Sequence, residues 1–594
     1  MPVSPELLAL LDGVVPPDAV RGYLVVLDLT EESPGEHRIA VEVTACDGQR
    51  ARREGRVRLE PAERYGRWAK LGERSARVIS EQQPSRAKVY VGVLAAPGGD
   101  PVPLHASLND QSCPRWDLQT VESLGEMLAR FARDRAEDDV LLLTAANVEL
   151  RPYALELITG RLAGPDRPDL VYWDEELLDA SGTPTGARLK PGWSPELLLQ
   201  HDYIGPAVAL RPRAARTALG NDAAPETVYE MLLALVDTQL AVERIPHILT
   251  ARPIATGPSQ TDPTQTDPTQ TDPAPADAGR ALEAVARRRR RSVTIEDPGD
   301  PGHGPRRLRW PLPSHPPVSI VIPTSGQTRW LEPCLLSLRH TTSYDALEVV
   351  LVHSGPGPLD PLLTRILAGI DHLVVPYASD TPRDGFNFSH ASNLGAARGR
   401  GDYVLFLNDD VEAIDPDWLV RMVEQASLPG VGVVGARLEW PEGLVQHCGM
   451  ALRGLGHGPP GNTYETFAGF EPSSPGPEGL LRYTHECAAV TGACLMTPRN
   501  LLRELGGWDV RFPLDFGDVD LCLRSWTAGQ RVLVMPSVSL RHHQSATREF
   551  LASHEGLHRF QRRWLRRFAS GDRWHHPAYD ALRDGVLALP NDCF

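Results

Sequence analysis

The sequence has little that would take it out of water or onto nucleic acid. No apolar run approaches the ~20 residues that a membrane-spanning helix requires, and the opening Met-Pro-Val-Ser-Pro-Glu lacks the basic start and apolar core of a secretory leader. Basic residues are outnumbered, 61 Lys and Arg against 77 Asp and Glu, and the formal net charge of -16 argues against a nucleic-acid surface, which needs clustered cations to neutralise phosphates. The eight cysteines include no Cys-x-x-Cys pair. Cys487, Cys494 and Cys522 lie in apolar runs, the pattern of reduced core thiols rather than of a zinc site or a disulfide framework. These absences lead to the expectation of a cytoplasmic protein whose membrane contact, if any, is peripheral at the inner face.

What is present is ordinary globular material, 41% hydrophobic and 23% charged, in a chain of 594 residues. That is too long for one core, and roughly three or four domains are expected. The clearest boundary is a run of Gln-Thr-Asp-Pro repeats between Gln260 and Pro273, where proline blocks helix growth and little can be buried. A short helical pattern from Ala281 to Val285 follows and ends in Arg287 to Arg291. Such a run reads as a solvated helix face or linker, with contact to anionic lipid headgroups as the other reading. A second linker runs from Asp297 to Pro317. The expected division is a β-rich region over 1–80, a first α/β domain over 81–255, a linker over 256–316 and a second α/β domain with a helical tail over 317–594.

In that last part Val318-Ser-Ile-Val-Ile-Pro-Thr reads as a buried parallel strand, the apolar periodicity from Leu331 to Leu338 as a helix, and Leu347 to Val352 as the next strand. This is the start of a doubly wound sheet, with further strands at Tyr403 to Leu407, Val431 to Gly435 and Arg531 to Met535. Ligands bind such sheets at the carboxyl ends of the strands, and there the acids cluster. Asn408-Asp409-Asp410 directly follows a strand, where carboxylates would either hold a hard divalent ion or cap the next helix. Asp518 and Asp520 open an amphipathic helix, as a general base or as caps with a favourable dipole contact. His542 and His543 follow the last strand as ligands for a transition ion or as surface polarity.

In order along the chain, Val318 to Thr324, Phe386 to Asn393, Leu407 to Glu412, Asp415-Pro-Asp-Trp-Leu, Gln446-His-Cys-Gly449, Val490-Thr-Gly-Ala-Cys494, Gly506-Gly-Trp-Asp509, Gly517 to Arg524 and His542-His-Gln-Ser545 resemble the inverting family-two glycosyltransferases, especially those of bacterial O-antigen, rhamnan and other cell-surface polysaccharide assembly. The resemblance implies a GT-A fold and a metal-dependent hexosyl- or rhamnosyltransferase. The enzyme would use Mg²⁺ or Mn²⁺ with a nucleotide-sugar donor and act on a hydroxyl of a saccharide or lipid-linked acceptor. It implies Asp518 as the base with Asp520 beside it, and Asp410, His542 and His543 at the metal. Pro323, Thr324, Asn393, Asn408, Asp409, Thr491, Gly492 and Ala493 would lie around the donor. Two positions depart from the family: His353 stands where an Asp usually contacts the nucleobase, and Gly517 where Glu or Asn usually precedes the base. Gln561-Arg-Arg-Trp564 is one residue too short for the signature of processive synthases and reads as helix packing.

The first half repeats the second. Val89 to Leu94 stands for Val318 to Pro323, Asp139 to Leu143 for Tyr403 to Leu407, and Ile245-Pro-His for Met535-Pro. The matching places carry Ala145 and Ala146 opposite Asp409 and Asp410, Val228 opposite Asp518, and Arg252 and Pro253 opposite the histidines. The expected fold class is therefore α/β, two GT-A domains in tandem, the first degenerate, behind a small β-rich region. Competing classes are a scaffold or glycan-binding protein whose two domains have both lost turnover, and a nucleotidyltransferase. The latter would need a glycine-rich basic phosphate loop where Ser325-Gly326-Gln327 stands.

Overall fold

The computed structural model describes residues 26–32, 36–44, 50–57, 87–94, 102–113, 115–121, 123–164, 166–220, 224–253, 278–296, 307–377, 386–453, 463–543, 554–567 and 571–579. The Gln-Thr-Asp-Pro repeats, most of the second linker and Gln544-Ser545 lie outside them.

Three strands, Val26–Glu32 (β1), Glu36–Thr44 (β2) and Arg50–Val57 (β3), pair antiparallel in that order, where alternation between Tyr23 and Leu59 predicts strands. The next sheet is built from Val89–Leu94 (β4), Trp116–Val121 (β5), Val140–Ala145 (β6), Glu149–Leu150 (β7), Leu170–Leu178 (β8), Pro184–Arg188 (β9), Val208–Leu210 (β10) and Val242–Pro253 (β11). Its order is β5-β4-β6-β10-β8-β11-β7, with β9 on β8. Helices Pro195–Gln200 (α1) and Val228–Leu235 (α2) belong to it, and Ala278–Arg289 (α3) leads to a hairpin of Thr294–Glu296 (β12) and Arg307–Arg309 (β13).

The last large sheet holds Val318–Thr324 (β14), Leu347–His353 (β15), His372–Pro376 (β16), Tyr403–Leu407 (β17), Val411–Ala413 (β18), Val431–Glu439 (β19) and Val445–His447 (β20). Met450–Leu452 (β21) and Thr463–Glu465 (β22) pair apart from it, while His485–Glu486 (β23), Cys494–Pro498 (β24) and Arg531–His542 (β25) complete it. The order is β16-β15-β14-β17-β24-β19-β25-β18, with β20 on β19 and β23 on β25. Every residue of β14 is buried, as a continuous apolar run between helix layers requires. Phe388–Arg398 (α4), Gly517–Thr527 (α5) and His554–Trp564 (α6) are the helices that shape the site.

The internal repeat is visible as topology. β4-β6-β10-β8-β11-β7 and β14-β17-β24-β19-β25-β18 run in the same order with the same parallel and antiparallel joints. Each last long strand, β11 and β25, also carries register shifts against its neighbour.

The two sheets share a core. One apolar cluster runs from Tyr90, Leu128 and Tyr172 through Leu197 and Val236 to Ile320, Phe406 and Trp508. A second, with Val91, Leu142 and Trp173, belongs to the first sheet alone. Polar ties cross the joint as well: Arg188 to Glu478, Ser194 Oγ to Glu486 at 2.5 Å, Arg531 to Glu196 at 2.7 Å and His576 to Asp174 at 2.9 Å.

The arginine run departs from its sequence reading at Arg289, while Arg287, Arg288 and Arg290 are exposed. Arg289 is buried, bound to Glu196 and Asp237 at 2.7 Å each, while Arg288 donates to the carbonyls of Leu233 and Val236 and Arg291 to that of Ser427. Arg288 and Arg289 therefore tie α3 to the first domain, and Arg291, just beyond the helix, reaches the second.

Candidate functional site

The acids gather where the carboxyl ends of β14, β17 and β25 meet the start of α5. Asp518 is the second residue of α5. Its Oδ2 accepts from the Gly492 N–H at 2.8 Å and its Oδ1 from the Val519 N–H at 2.9 Å. Burial pushes its carboxyl above the ordinary value, the two N–H groups oppose that, and the charge of Glu465 adds to it. Asp518 thus holds a proton more readily than a surface aspartate does, which suits a base. Phe516, just before the helix, sits at φ 61°, an unusual conformation for an aromatic residue, and stacks on Phe560 of α6 at 4.9 Å. A Cβ on Gly517 would lie 2.8 Å from Ser389 Oγ and 3.2 Å from the Trp508 ring. This packing explains glycine at that position.

Asp520 faces the other way. It is fully buried, with Oδ2 accepting from Arg524 at 2.7 Å and Oδ1 from Trp564 Nε1 and Arg563 at 3.0 Å. Expected beside the base, it instead fastens α6 to α5. Trp564, the last residue of the abbreviated synthase-like signature, is therefore a packing residue.

Across the loop Thr491–Ala493, whose Ala493 carbonyl accepts from the Asn408 N–H at 3.0 Å, lies the second group. His542 Nε2 is 3.2 Å from Asp410 Oδ1 and 3.4 Å from the Asn408 amide nitrogen, and its Nδ1 is 2.6 Å from Gln446 Oε1. The Gln446 oxygen only accepts, so Nδ1 carries a proton and Nε2 is left facing the Asp410 carboxylate. With the Asn408 amide beside it, this nitrogen and the Asp410 carboxylate would together suit a divalent ion, which they could hold only with further ligands from outside the pair. Among the described residues no group of three or more His, Cys, Asp or Glu side chains converges as a metal site. His543 is turned to Glu412, 2.5 Å away, and Asp409 accepts from Thr324 Oγ1 at 2.5 Å. Of the three expected metal ligands the structure thus brings two together.

Around the donor side, Asn393 gives both amide atoms to the backbone of Trp508, at 2.8 Å each. It clamps the Gly506–Asp509 turn instead of presenting its side chain to a ligand. His353 at the end of β15 packs under the next loop: a Cβ on Gly326 or Gly355 would come within 2.6 or 2.8 Å of its Nε2. Gln446, His447 and Glu465 were not expected at the site. The Gln446-His-Cys-Gly449 motif is plain in the sequence, but its partners lie far along the chain.

At the three places that can be matched, the described residues of the first sheet carry other groups. β7 pairs Leu150 with Thr250 and Glu149 with Ala251, whereas β18 pairs Val411 with His542. With Arg252 in the place of His542, Val148 matches Val411, and both are buried. Asn147, one residue beyond the expected Ala146, therefore matches Asp410. At the helix start Tyr229 takes the second position, the place of Asp518, and Glu230 is consumed in a capping box with Thr227. Arg252 itself is bound to Glu175 at 2.5 Å beside Lys190 at 2.6 Å.

Residues 319–506 match the family model described as Glycosyl transferase family 2. These residues form a family 2 glycosyltransferase domain. The chain is 30% identical over 530 residues to the O-antigen biosynthesis protein RfbC of Myxococcus xanthus, covering 82% of this chain and 39% of that protein. It therefore spans well under half the length of this relative. Over 195 residues it is 27% identical to an N-acetylglucosaminyl-diphospho-decaprenol L-rhamnosyltransferase of Mycobacterium tuberculosis, 32% of this chain and 62% of that one. Among solved structures it is similar to a mannosyltransferase from Pyrobaculum calidifontis in complex with GDP-Man and Mn²⁺, at 20% identity and a TM-score of 0.29, covering 40% of this chain and 59% of that one. Among the described residues no helix of the family 2 domain, or of the rest of the chain, is long and apolar enough to cross a membrane.

Proposed function

We propose that the family 2 domain moves a sugar from a nucleotide donor to a hydroxyl of a saccharide or lipid-linked acceptor in cell-surface polysaccharide synthesis, with inversion at the anomeric carbon. The observation that carries this is the pairing of a proton-accepting carboxylate, Asp518, with the Asp410–His542 pair across one short loop. Asp518 takes the proton of the acceptor hydroxyl as its oxygen attacks the anomeric carbon, and the Gly492 and Val519 N–H groups hold the carboxylate in place for that transfer. Asp410 and His542, oriented by Gln446, would hold Mg²⁺ or Mn²⁺; when bound, the ion neutralises the diphosphate leaving group. Thr324 fixes Asp409 beside them. The first sheet, lacking carboxylate and base at the matching places, performs no transfer and buttresses the second through their common core.

The metal assignment predicts that calorimetry finds nucleotide binding at least tenfold weaker with chelator, and that Asp410→Ala removes the difference. Equal affinity with and without chelator in the intact chain would refute it. Proton NMR of the product reads the stereochemistry: the anomeric configuration opposite to the donor's is expected, and a retained configuration would rule out direct displacement.

A further inference from the structure

A second carboxylate is linked to Asp518 through a buried histidine. His447, whose side chain is 2% exposed, hydrogen-bonds through Nδ1 to Glu465 of β22, whose side chain is 33% exposed. The other ring nitrogen, Nε2, accepts from the N–H of Gly449 at 3.3 Å and from the N–H of Thr491 at 3.4 Å. A nitrogen that accepts from two N–H groups carries no proton, so the proton sits on Nδ1 and points at Glu465. Thr491 is followed by Gly492, whose N–H holds Asp518. One chain of hydrogen bonds and backbone thus runs from Glu465 through His447 and the Thr491–Gly492 turn to the base. Glu465 has a second oxygen with no partner among the described residues, its side chain is partly open to solvent, and its charge bears on the Asp518 carboxyl.

A structural ion pair has no need of this arrangement. The buried ring fixes the direction of a carboxylate that stays open to ligand, and the same ring fixes the turn that holds the base. Two nearby carboxylates also repel an acidic sugar and favour one rich in hydroxyl donors.

Resting on the transferase reading, we propose that Glu465 is an acceptor-binding residue that takes hydrogen bonds from hydroxyls of a neutral saccharide next to the one Asp518 deprotonates. His447 is the positioning residue that aims it. The two roles of His447 separate by substitution, because the side-chain nitrogen of Asn can stand for Nδ1–H and the end of a Gln side chain for Nε2.

The test measures binding of octyl glycosides of N-acetylglucosamine, galactose, mannose and rhamnose to the full chain by ligand-observed NMR, alongside transfer kinetics with a panel of nucleotide sugars. At least one neutral glycoside should bind the unaltered protein. Glu465→Gln and His447→Gln should weaken that binding, and raise the acceptor KM, by tenfold or more while leaving donor KM within about twofold. His447→Asn should keep acceptor binding within about threefold but lower kcat, because the Thr491 N–H loses its acceptor. Equal glycoside binding by Glu465→Gln and the unaltered chain, or no glycoside binding at all, overturns the proposal. Glycoside binding that depends on Glu465 without any transfer would leave the acceptor site standing and sink the transferase reading instead.

Discussion

Asp518→Asn should abolish sugar transfer, with kcat reduced at least 10²–10⁴-fold, the range that a positioned general base contributes, while nucleotide binding stays within a few-fold. The carboxamide keeps the shape of the side chain but cannot take a proton. It also retains only one accepting oxygen where the carboxylate accepts from both Gly492 and Val519, so a modest local cost of about 1–3 kcal/mol accompanies the change. The donor side makes no direct contact with Asp518, since His542 meets Asp410 and Asn408 while Thr324 holds Asp409. The pH profile gives an independent check. Because burial raises the Asp518 carboxyl, kcat/KM should fall on the acid side at a pH above the ordinary aspartate range, and the base form should be lost as pH drops through that value. Near-normal turnover of the Asn variant, or a limb at the ordinary aspartate value, would show that another group takes the proton.

Glu478→Ala should cost about 3–5 kcal/mol of stability, the penalty for removing one partner of a buried ion pair, since Arg188 then keeps only the longer contact to Glu175 at 3.6 Å and the Tyr203 carbonyl. Glu478 comes from the family 2 domain and meets Arg188 of the first sheet. Both side chains are nearly inaccessible, at 5% and 1%, and His201 stands 3.7 Å away. A double replacement, Arg188→Met with Glu478→Leu, should recover much of the loss, because exchanging a buried pair for apolar side chains is often neutral or favourable. Thermal unfolding of the three variants measures both effects. Equal stability of the single variant and the unaltered chain would mean that the joint is open to water.

The same pair dictates an acid response. Burial alone would raise the Glu478 carboxyl, but Arg188 and His201 outweigh it and hold it at about 2, against 4.5 for the free side chain. A carboxyl depressed on folding adds stability that is complete above the unfolded value and disappears as pH falls through the folded one. The contribution of Glu478 should therefore fade between about pH 4.5 and 2. The Glu478→Ala variant should show a correspondingly flatter loss over that window.

β14, β15 and β17 are legible in the sequence because buried parallel strands write themselves as continuous apolar runs. β24 carries no such signal. It runs antiparallel between β17 and β19, and its five residues follow directly on a motif that reads as a loop. The order of the motifs pointed to the site, and the structure brings Asp410, His542, Asn408 and the Thr491–Ala493 turn together. What the motifs left open was direction. Asp520 and Asn393 stand in the expected motifs, yet their partners, Trp564 and the Trp508 backbone, lie 44 and 115 residues away. No local pattern tells a carboxylate that faces substrate from one that anchors a helix. The buried Arg289 escaped for the same reason, since its partner Glu196 is 93 residues distant.

Mass spectrometry of the reaction products tests the central claim most directly. The full chain and its Asp518→Asn variant are incubated with Mn²⁺, a panel of nucleotide sugars and neutral octyl glycosides or lipid-linked saccharides. One donor should yield an acceptor heavier by a single sugar residue, together with free nucleoside diphosphate, and the variant should yield neither. Absence of any glycosylated product across the panel in the metal-loaded chain, or equal product from the variant, would contradict a transferase built on Asp518.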